Sequence, residues 1–341
     1  MTNWKNLILL WFGCLSLSLS AQKPYRITRN GIIIYNNDGQ VWTFSPFSAP
    51  ATGGTWYSDV INDYHRMLGD SVHVYSMIIP LSIAFNGPDG IPPYVNRPQR
   101  PVIDNMYNHL DDGITPVDVY TTLEAHAHEP IYSRTDHHWQ PLGAYYAARE
   151  FARVAKVPFD SLSAYTPKII HRFVGSMYTF SKDIAVKQAP EDFVYYVPKN
   201  DSYKVTYIGH HLGKGNKVLG VTEPYEGCFF FPYKDGSSSA YCTFMGGDSR
   251  TAHISTGVRN GRRLLVLKDS FGNALICFLF HSFEDIYVVD FRYFTRNIVD
   301  YVRENHITDL LFANNLQHAY SRTTASKMEN LLHLYHQVSY Q

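Results

Sequence analysis

The chain has 341 residues, with 30 lysines and arginines against 30 aspartates and glutamates, and 16 histidines. A formal net charge of +0 excludes the basic excess of a nucleic-acid binder, and a hydrophobic fraction of 45% with 15% aromatics excludes a disordered chain. The length suits one large domain or two small ones, and the histidine surplus points to catalysis or to metal binding.

Residues 1–20 carry Lys5, an apolar run over 6–19, and small residues at Ser18, Ser20 and Ala21. That is the layout of a secretory signal peptide, residues 1–21, and it predicts a periplasmic or secreted protein. The run is too short to span a bilayer comfortably, and no later segment reaches the span length. Cleavage near Ser20–Gln22 removes Lys5 and leaves 29 bases against 30 acids in a single domain over 22–341. The rival reading lipidates Cys14; the bulky Trp11 three residues before it and the short preceding run favour the cleaved peptide instead. Cys228, Cys242 and Cys277 remain, so at most one disulfide forms. Cys228 and Cys242 share one strand-and-turn region and can pair. Cys277 lies in an apolar run and reads as a buried thiol.

In chain order, residues 30–44 read as a hairpin turning at 36–39. Apolar residues at 57, 60, 61, 64, 67 and 68 predict a helix over 56–68. A strand over 72–79 ends at Pro80, a helix covers 98–110, and a short strand covers 116–120. Residues 140–157 form a strong helix opened by Pro141. Between 159 and 260 the alternation fails, and scattered strand-like runs predict a β-rich insertion packed on the sheet. From Arg262 the pattern is regular: strand 264–267, helix 271–283, strand 286–289, helix 295–305, strand 309–313, helix 326–336. Such alternation predicts an α/β fold with a five-stranded parallel sheet and helices on both faces.

Two motifs can carry chemistry. Lys268-Asp269-Ser270-Phe271-Gly272-Asn273 follows an apolar strand and opens an apolar run. It puts Ser270 at the carboxyl end of a strand, where open α/β sheets place their sites, and at a helix start that favours negative charge. The bland alternative is that Asp269 or Ser270 only caps the helix. In Thr135-Asp136-His137-His138-Trp139, Asp136 and His138 are two apart, so an extended segment projects both to one face and His137 to the other. They would then supply Ser270 with a base and its orienting carboxylate. Here too the alternative is a helix start, with Asp136 capping and the histidines solvated. A metal reading competes through His126, His128, His137 and His138 with Glu129, but its spacing fits no tetrahedral pattern; no metal or other cofactor is expected. Gly246-Gly247-Asp248-Ser249 reads as a turn or bulge whose N–H groups can line an oxyanion site. His210-His211 reads as a loop surface.

The run Tyr132–Tyr145, with Lys268–Asn273, residues 289–293 and residues 173–176, resembles the DHHW family. These are bacterial extracytoplasmic proteins similar to the periplasmic alginate O-acetylation proteins, whose domain is SGNH-hydrolase-like. The resemblance implies a three-layer α/β/α SGNH-like core and a Ser270–His138–Asp136 triad. It places the Asp-x-His pair before the serine, the reverse of ordinary SGNH hydrolases. Lys268 stands where those enzymes have glycine, so their oxyanion-hole residues do not transfer. The candidates are the Ser270 N–H, Gly246, Gly247 and Asn273. Arg292 and Tyr293 are candidates for positioning a sugar. The implied activity is O-acetyl transfer to, or removal from, a cell-envelope or extracellular glycan. If it is transfer, the implied partner is a membrane-bound O-acyltransferase. The alternative is a non-catalytic glycan-binding or assembly protein on the same fold. No nucleic-acid partner is expected, and the near-neutral mature chain favours a neutral or mixed glycan over a strongly anionic one.

Overall fold

The computed structural model describes residues 24–200 and 202–334. The expected signal peptide and Cys14 lie outside the described residues. The fold is mixed α/β around a nine-stranded sheet. Its parallel part runs Asp285–Asp290, Arg263–Lys268, Asp309–Asn315, His73–Ile79, Ile114–Pro116 in spatial order. Leu264 to Leu267 is fully buried, as continuous apolar strands are when both faces are covered.

Alternate residues of these strands enter two apolar clusters. Leu264, Val266, Leu311 and Ala313 pack with Leu142, Ala148 and Phe151 of helix Pro141–Ala155 and with the turns over 271–280. Leu265, Leu267, Leu310 and Phe312 pack on the other face. Their partners there include Tyr57, Ile61 and Tyr64 of helix Thr55–Leu68, Val299 and Val302 of helix Ile298–Glu304, and Met328 and Leu332 of helix Arg322–His333. Alternate residues of these period-2 strands thus enter two different apolar clusters, and both faces of the sheet are buried.

The segment over 159–260 departs from the expectation. Most of its strands extend the central sheet at its edge instead of packing on it. Arg250–Ser255 pairs antiparallel with Asp285–Asp290, Lys204–Leu212 with Arg250–Ser255, and Tyr225–Gly227 with Lys204–Leu212. Tyr165–Phe173 and Glu191–Pro198 form a separate two-stranded ribbon. His210 and His211 belong to strand Lys204–Leu212, opposite Val221 and Gly220, and not to a loop.

The 271–283 run also differs. It folds as two 3₁₀ turns, Ser270–Ala274 and Ile276–Leu279, where Gly272 and Asn273 are poor helix formers. The early hairpin forms through a two-residue turn, with Asp38 at φ 48° and Gly39 at φ 85°, the positive pair that a tight hairpin turn requires. Cys228, Cys242 and Cys277 are free thiols, Cys277 buried. No helix among the described residues is long and apolar enough to cross a membrane.

Candidate active site

The carboxyl ends of the parallel strands meet at one edge. Strand Arg263–Lys268 delivers Ser270, strand Asp285–Asp290 delivers Arg292, and strand Asp309–Asn315 delivers Asn315 and His318. The antiparallel register Ala252↔Val288 brings Asp248, just ahead of strand Arg250–Ser255, to the same edge. A cavity of about 360 Å³ opens there, lined by Ser270, His137, Arg292, Asn315 and His318 among others.

Asp136, His138 and Ser270 form one hydrogen-bond chain. Asp136 Oδ1 lies 2.6 Å from His138 Nδ1, and His138 Nε2 lies 2.7 Å from Ser270 Oγ. Asp136 Oδ1 also accepts the His138 N–H at 3.0 Å, and Oδ2 accepts the Ser176 N–H at 2.7 Å. A carboxylate surrounded by donors fixes the tautomer: Nδ1–H donates to Asp136, leaving Nε2 to accept from the Ser270 hydroxyl. Burial pushes the Asp136 carboxyl up, but the attraction and hydrogen bond of His138, then His137 and the Ser176 N–H, hold it well below the carboxylate range.

The route to this geometry differs from the expected extended strand. Tyr132 and Trp139 bridge each other, and the residues between them loop out. Asp136 and His138 meet through an Asx turn, a side-chain oxygen accepting the N–H two residues on. His137 therefore does not point away. Its ring lies 3.7 Å from that of His138 and lines the same cavity. Its Nδ1 is 2.5 Å from Ser176 Oγ. Burial against the cavity wall, then the neighbouring His138, pushes His137 down to about 3.

Trp139 and Tyr241 clamp the two motifs together. The Trp139 Nε1–H donates to the Phe271 carbonyl at 3.0 Å, next to Ser270, and the Tyr241 hydroxyl donates to the same carbonyl at 3.1 Å. The Tyr241 ring stacks on His138 at 3.7 Å and 4°. Asp269, buried behind Ser270, accepts the N–H groups of Phe271 and Asn315 and the Asn315 amide. Burial raises its carboxyl. It therefore caps the turn, as read from the sequence, while Ser270 remains partly exposed.

A second charged group stands beside Ser270. Buried Lys268 contacts Asp290 at 3.0 Å and Asp248 at 3.3 Å. Arg292 bonds both carboxylates through Nε and Nη2. Two cations and two anions neutralise one another, which is what permits a lysine to be buried at this position. Burial pushes the Asp248 carboxyl up, but Lys268 and Arg292 hold it well below its ordinary value.

The oxyanion candidates separate on this geometry. Gly246 and Gly247 have φ 68° and 101° in a turn, neither lines the cavity, and the Gly247 N–H is taken by the Phe244 carbonyl. The Asn273 amide donates to Asp248 at 2.7 Å, so it supports the charged group. The Ser270 N–H opens its turn, where a helix leaves its first donors unpaired. Arg292 lines the cavity; Tyr293 is buried beneath it, with the guanidinium 5.3 Å from its ring centre.

The histidines of the metal reading divide. His126 pairs with Glu129 at 2.6 Å and stacks on Tyr146, and His128 is exposed. Among the described residues, the trio with ligand atoms in mutual reach is Asp136, His137 and His138, without His126 or His128. Asp136 and His138 already share a hydrogen bond there, so an ion would have to displace that proton.

Asp248, Tyr241 and Ser176 are the neighbours that motif reading missed. Asp248 sat in a noticed Gly-Gly-Asp-Ser turn, whose register to the sheet edge no local pattern reports. Ser176 ends the 173–176 run that contributes to the resemblance, but that run assigned it no role; Tyr241 carries no sequence signal.

A reactive-looking serine at the strand ends of a parallel-rich α/β sheet, with Asp-His-His-Trp looped over it, defines the class. The chain belongs to the DHHW family, whose pattern matches residues 33–289. A DHHW family protein from Eubacterium siraeum, known from its crystal structure, is 38% identical. It superimposes with a TM-score of 0.80 over 89% of this chain and 96% of that one. PatB1 of Bacillus cereus, solved with a sulfonyl adduct, is similar in fold: 18% identity, TM-score 0.67, covering 88% of this chain and 98% of that one. A second PatB1 structure gives 20% identity and a TM-score of 0.66 over 86% and 99%. No protein in the curated set matches the chain.

Proposed function

We propose that the protein is an O-acetyltransferase or O-acetylesterase acting on a cell-envelope or extracellular polysaccharide through a Ser270–His138–Asp136 triad. The observation that carries the reading is the chain from Asp136 Oδ1 to His138 Nδ1 at 2.6 Å and from His138 Nε2 to Ser270 Oγ at 2.7 Å. It is the arrangement of a nucleophile, its base and the base's orienter.

In this mechanism Ser270 Oγ attacks the acetyl carbonyl carbon while its proton passes to His138 Nε2. The carbonyl electrons move onto oxygen, facing the Ser270 N–H and the positive Arg292. Collapse expels the donor's oxygen, which takes the proton from His138 and leaves acetyl-Ser270. A sugar hydroxyl or water then gives its proton to His138 and attacks the acetyl carbon, restoring Ser270. Asp136 stays ionised throughout and stabilises the imidazolium.

The same proposal places this chemistry on a three-layer SGNH-hydrolase-like core with a β-rich insertion at about 159–260, in a protein exported through a cleaved leader. If the reaction is transfer, a membrane-bound O-acyltransferase supplies the acetyl group. PatB1's capture with a sulfonyl adduct is compatible with an electrophile-accepting site on this fold.

The test is hydrolysis of an aryl acetate. Wild type should turn it over, and Ser270→Ala should lower kcat by about 10⁴-fold or more. Equal rates would remove Ser270 as the nucleophile.

A further inference from the structure

We infer that a second cavity, on the far side of the Asp-His-His-Trp loop, is a subsite for a neutral saccharide. It has a volume of about 510 Å³ and shares no lining residue with the Ser270 cavity. The inference deepens the function proposed above and rests on it for the role of the bound sugar, as the distal part of the glycan.

Apolar surface comes from Trp42, Leu142, Val194 and Tyr196. Aromatic rings with placed polar groups around them are what a sugar needs, since its C–H faces stack and its hydroxyls seek partners.

The decisive feature is what the polar groups lack. Gln140, only 6% exposed, gives its Nε2 hydrogen to the Asp192 carbonyl at 3.2 Å, and its Oε1 has no partner among the described residues. Asn86 Oδ1, on the same cavity, has none either. Buried acceptors left unpaired are costly, so two at one cavity call for donors from a ligand.

The chemistry of those donors is constrained by the carboxylates: Glu129 and Glu191 have both oxygens engaged, and half-exposed Asp192 has one. Glu129 is held by His126 at 2.6 Å and Tyr146 at 2.8 Å. Glu191 accepts the N–H groups of Arg134 and Thr135 and the Thr135 hydroxyl. Asp192 is 3.0 Å from His171 Nδ1. The acceptors left unpaired are neutral amide oxygens, which a sugar hydroxyl can satisfy without bringing a charge to balance.

Position supports the link to the chemistry. Arg134 and Gln140 line this cavity, whereas His137 lines the other, so one loop walls both. A glycan seated beside Gln140 lies against the segment that carries His138.

The experiment titrates full-length Ser270→Ala protein with xylotetraose, mannotetraose and chitotetraose, with binding read by calorimetry. Because Ser270 is absent, the result does not depend on whether it is a nucleophile; failure of the aryl-acetate test leaves this one standing. At least one tetrasaccharide should bind at millimolar strength or better, and Gln140→Leu and Asn86→Leu should each weaken it about tenfold. Hydrogen exchange on the Ser270→Ala protein provides the second readout, independent of those variants' folding. Protection should fall on residues 127–134 and 191–196. No saturable binding by any of the three up to about 10 mM, a tenfold margin on the millimolar range, would overturn the inference. So would unchanged affinity in both variants, or protection confined to residues 315–321.

Discussion

Asp136 carries more of the site's geometry than any other single side chain. Three donors converge on its two oxygens, the His138 N–H and Nδ1–H and the Ser176 N–H. Replacing it by asparagine puts an NH₂ where an acceptor is needed and turns the His138 ring toward the wrong tautomer. Asp136→Asn is expected to lower kcat/KM for an aryl acetate by about 10⁴-fold, the cost of amidating an orienting carboxylate. The same carboxylate also links stability to pH. Its folded value lies below the ordinary 3.8, so the native state favours the ionised form. The stabilisation is fully present above about pH 4 and is lost as pH falls through the depressed native value. The Tm gap between wild type and Asp136→Asn should therefore be widest near neutrality and narrow below pH 4. A gap constant from pH 7 to pH 3 would show that the carboxylate's charge contributes nothing to folding.

At the scale of elements, the site is three loops pressed together, and one glycine sets how closely. Gly175 precedes the short helix Ser176–Ser181, whose first N–H binds Asp136. A Cβ on Gly175 would stand 2.3 Å from Asp136 Oδ2 and 2.4 Å from its Cβ, which real atoms do not tolerate. Gly175→Ala must push the Asp-His-His-Trp loop away from the helix. Displacing a catalytic group by about 1 Å costs on the order of 10²-fold. That drop in kcat/KM, with far-UV circular dichroism unchanged, is the expected outcome; wild-type kinetics would show that the loop absorbs the methyl elsewhere. The loop also shows where local reading of the sequence fails. Asp136 and His138 could be paired from their spacing, but spacing of two fits a strand and an Asx turn alike. Only the turn brings His137 onto the same cavity. Likewise the apolar run after Ser270 could be read as helical, yet Gly272 and Asn273, poor helix formers, leave it as 3₁₀ turns. Four of the five parallel strands were readable because burial on both faces writes continuous apolar runs; the fifth, Ile114–Pro116, meets the expected 116–120 strand only at Pro116, beyond which Val119–Ala125 is helix. Strand Arg250–Ser255 was not, because its Arg-Thr-Ala-His-Ile-Ser run mixes polar residues at positions the sheet half-buries.

At the scale of the whole molecule, charge is balanced in two different ways. Over the chain, 30 bases meet 30 acids, so no net field draws in a polyanion. Inside the site, Lys268, Arg292, Asp248 and Asp290 cancel among themselves. The two balances respond differently to salt. Exposed charges are screened over about 10 Å at 0.1 M ionic strength, whereas a buried set is screened far less. Salt therefore has little to act on, either in substrate capture or in the arrangement around Ser270. If the acceptor or donor is a neutral acetylated glycan, kcat/KM should change less than about twofold between roughly 50 and 500 mM NaCl. A strongly anionic glycan would instead have to be gathered by local cations such as Arg292, and its rate would fall steeply over that range. Measuring both kinds of acetylated polysaccharide across the salt series separates the cases. A steep fall with the preferred substrate would overturn the neutral-glycan reading and shift the recognition to charge.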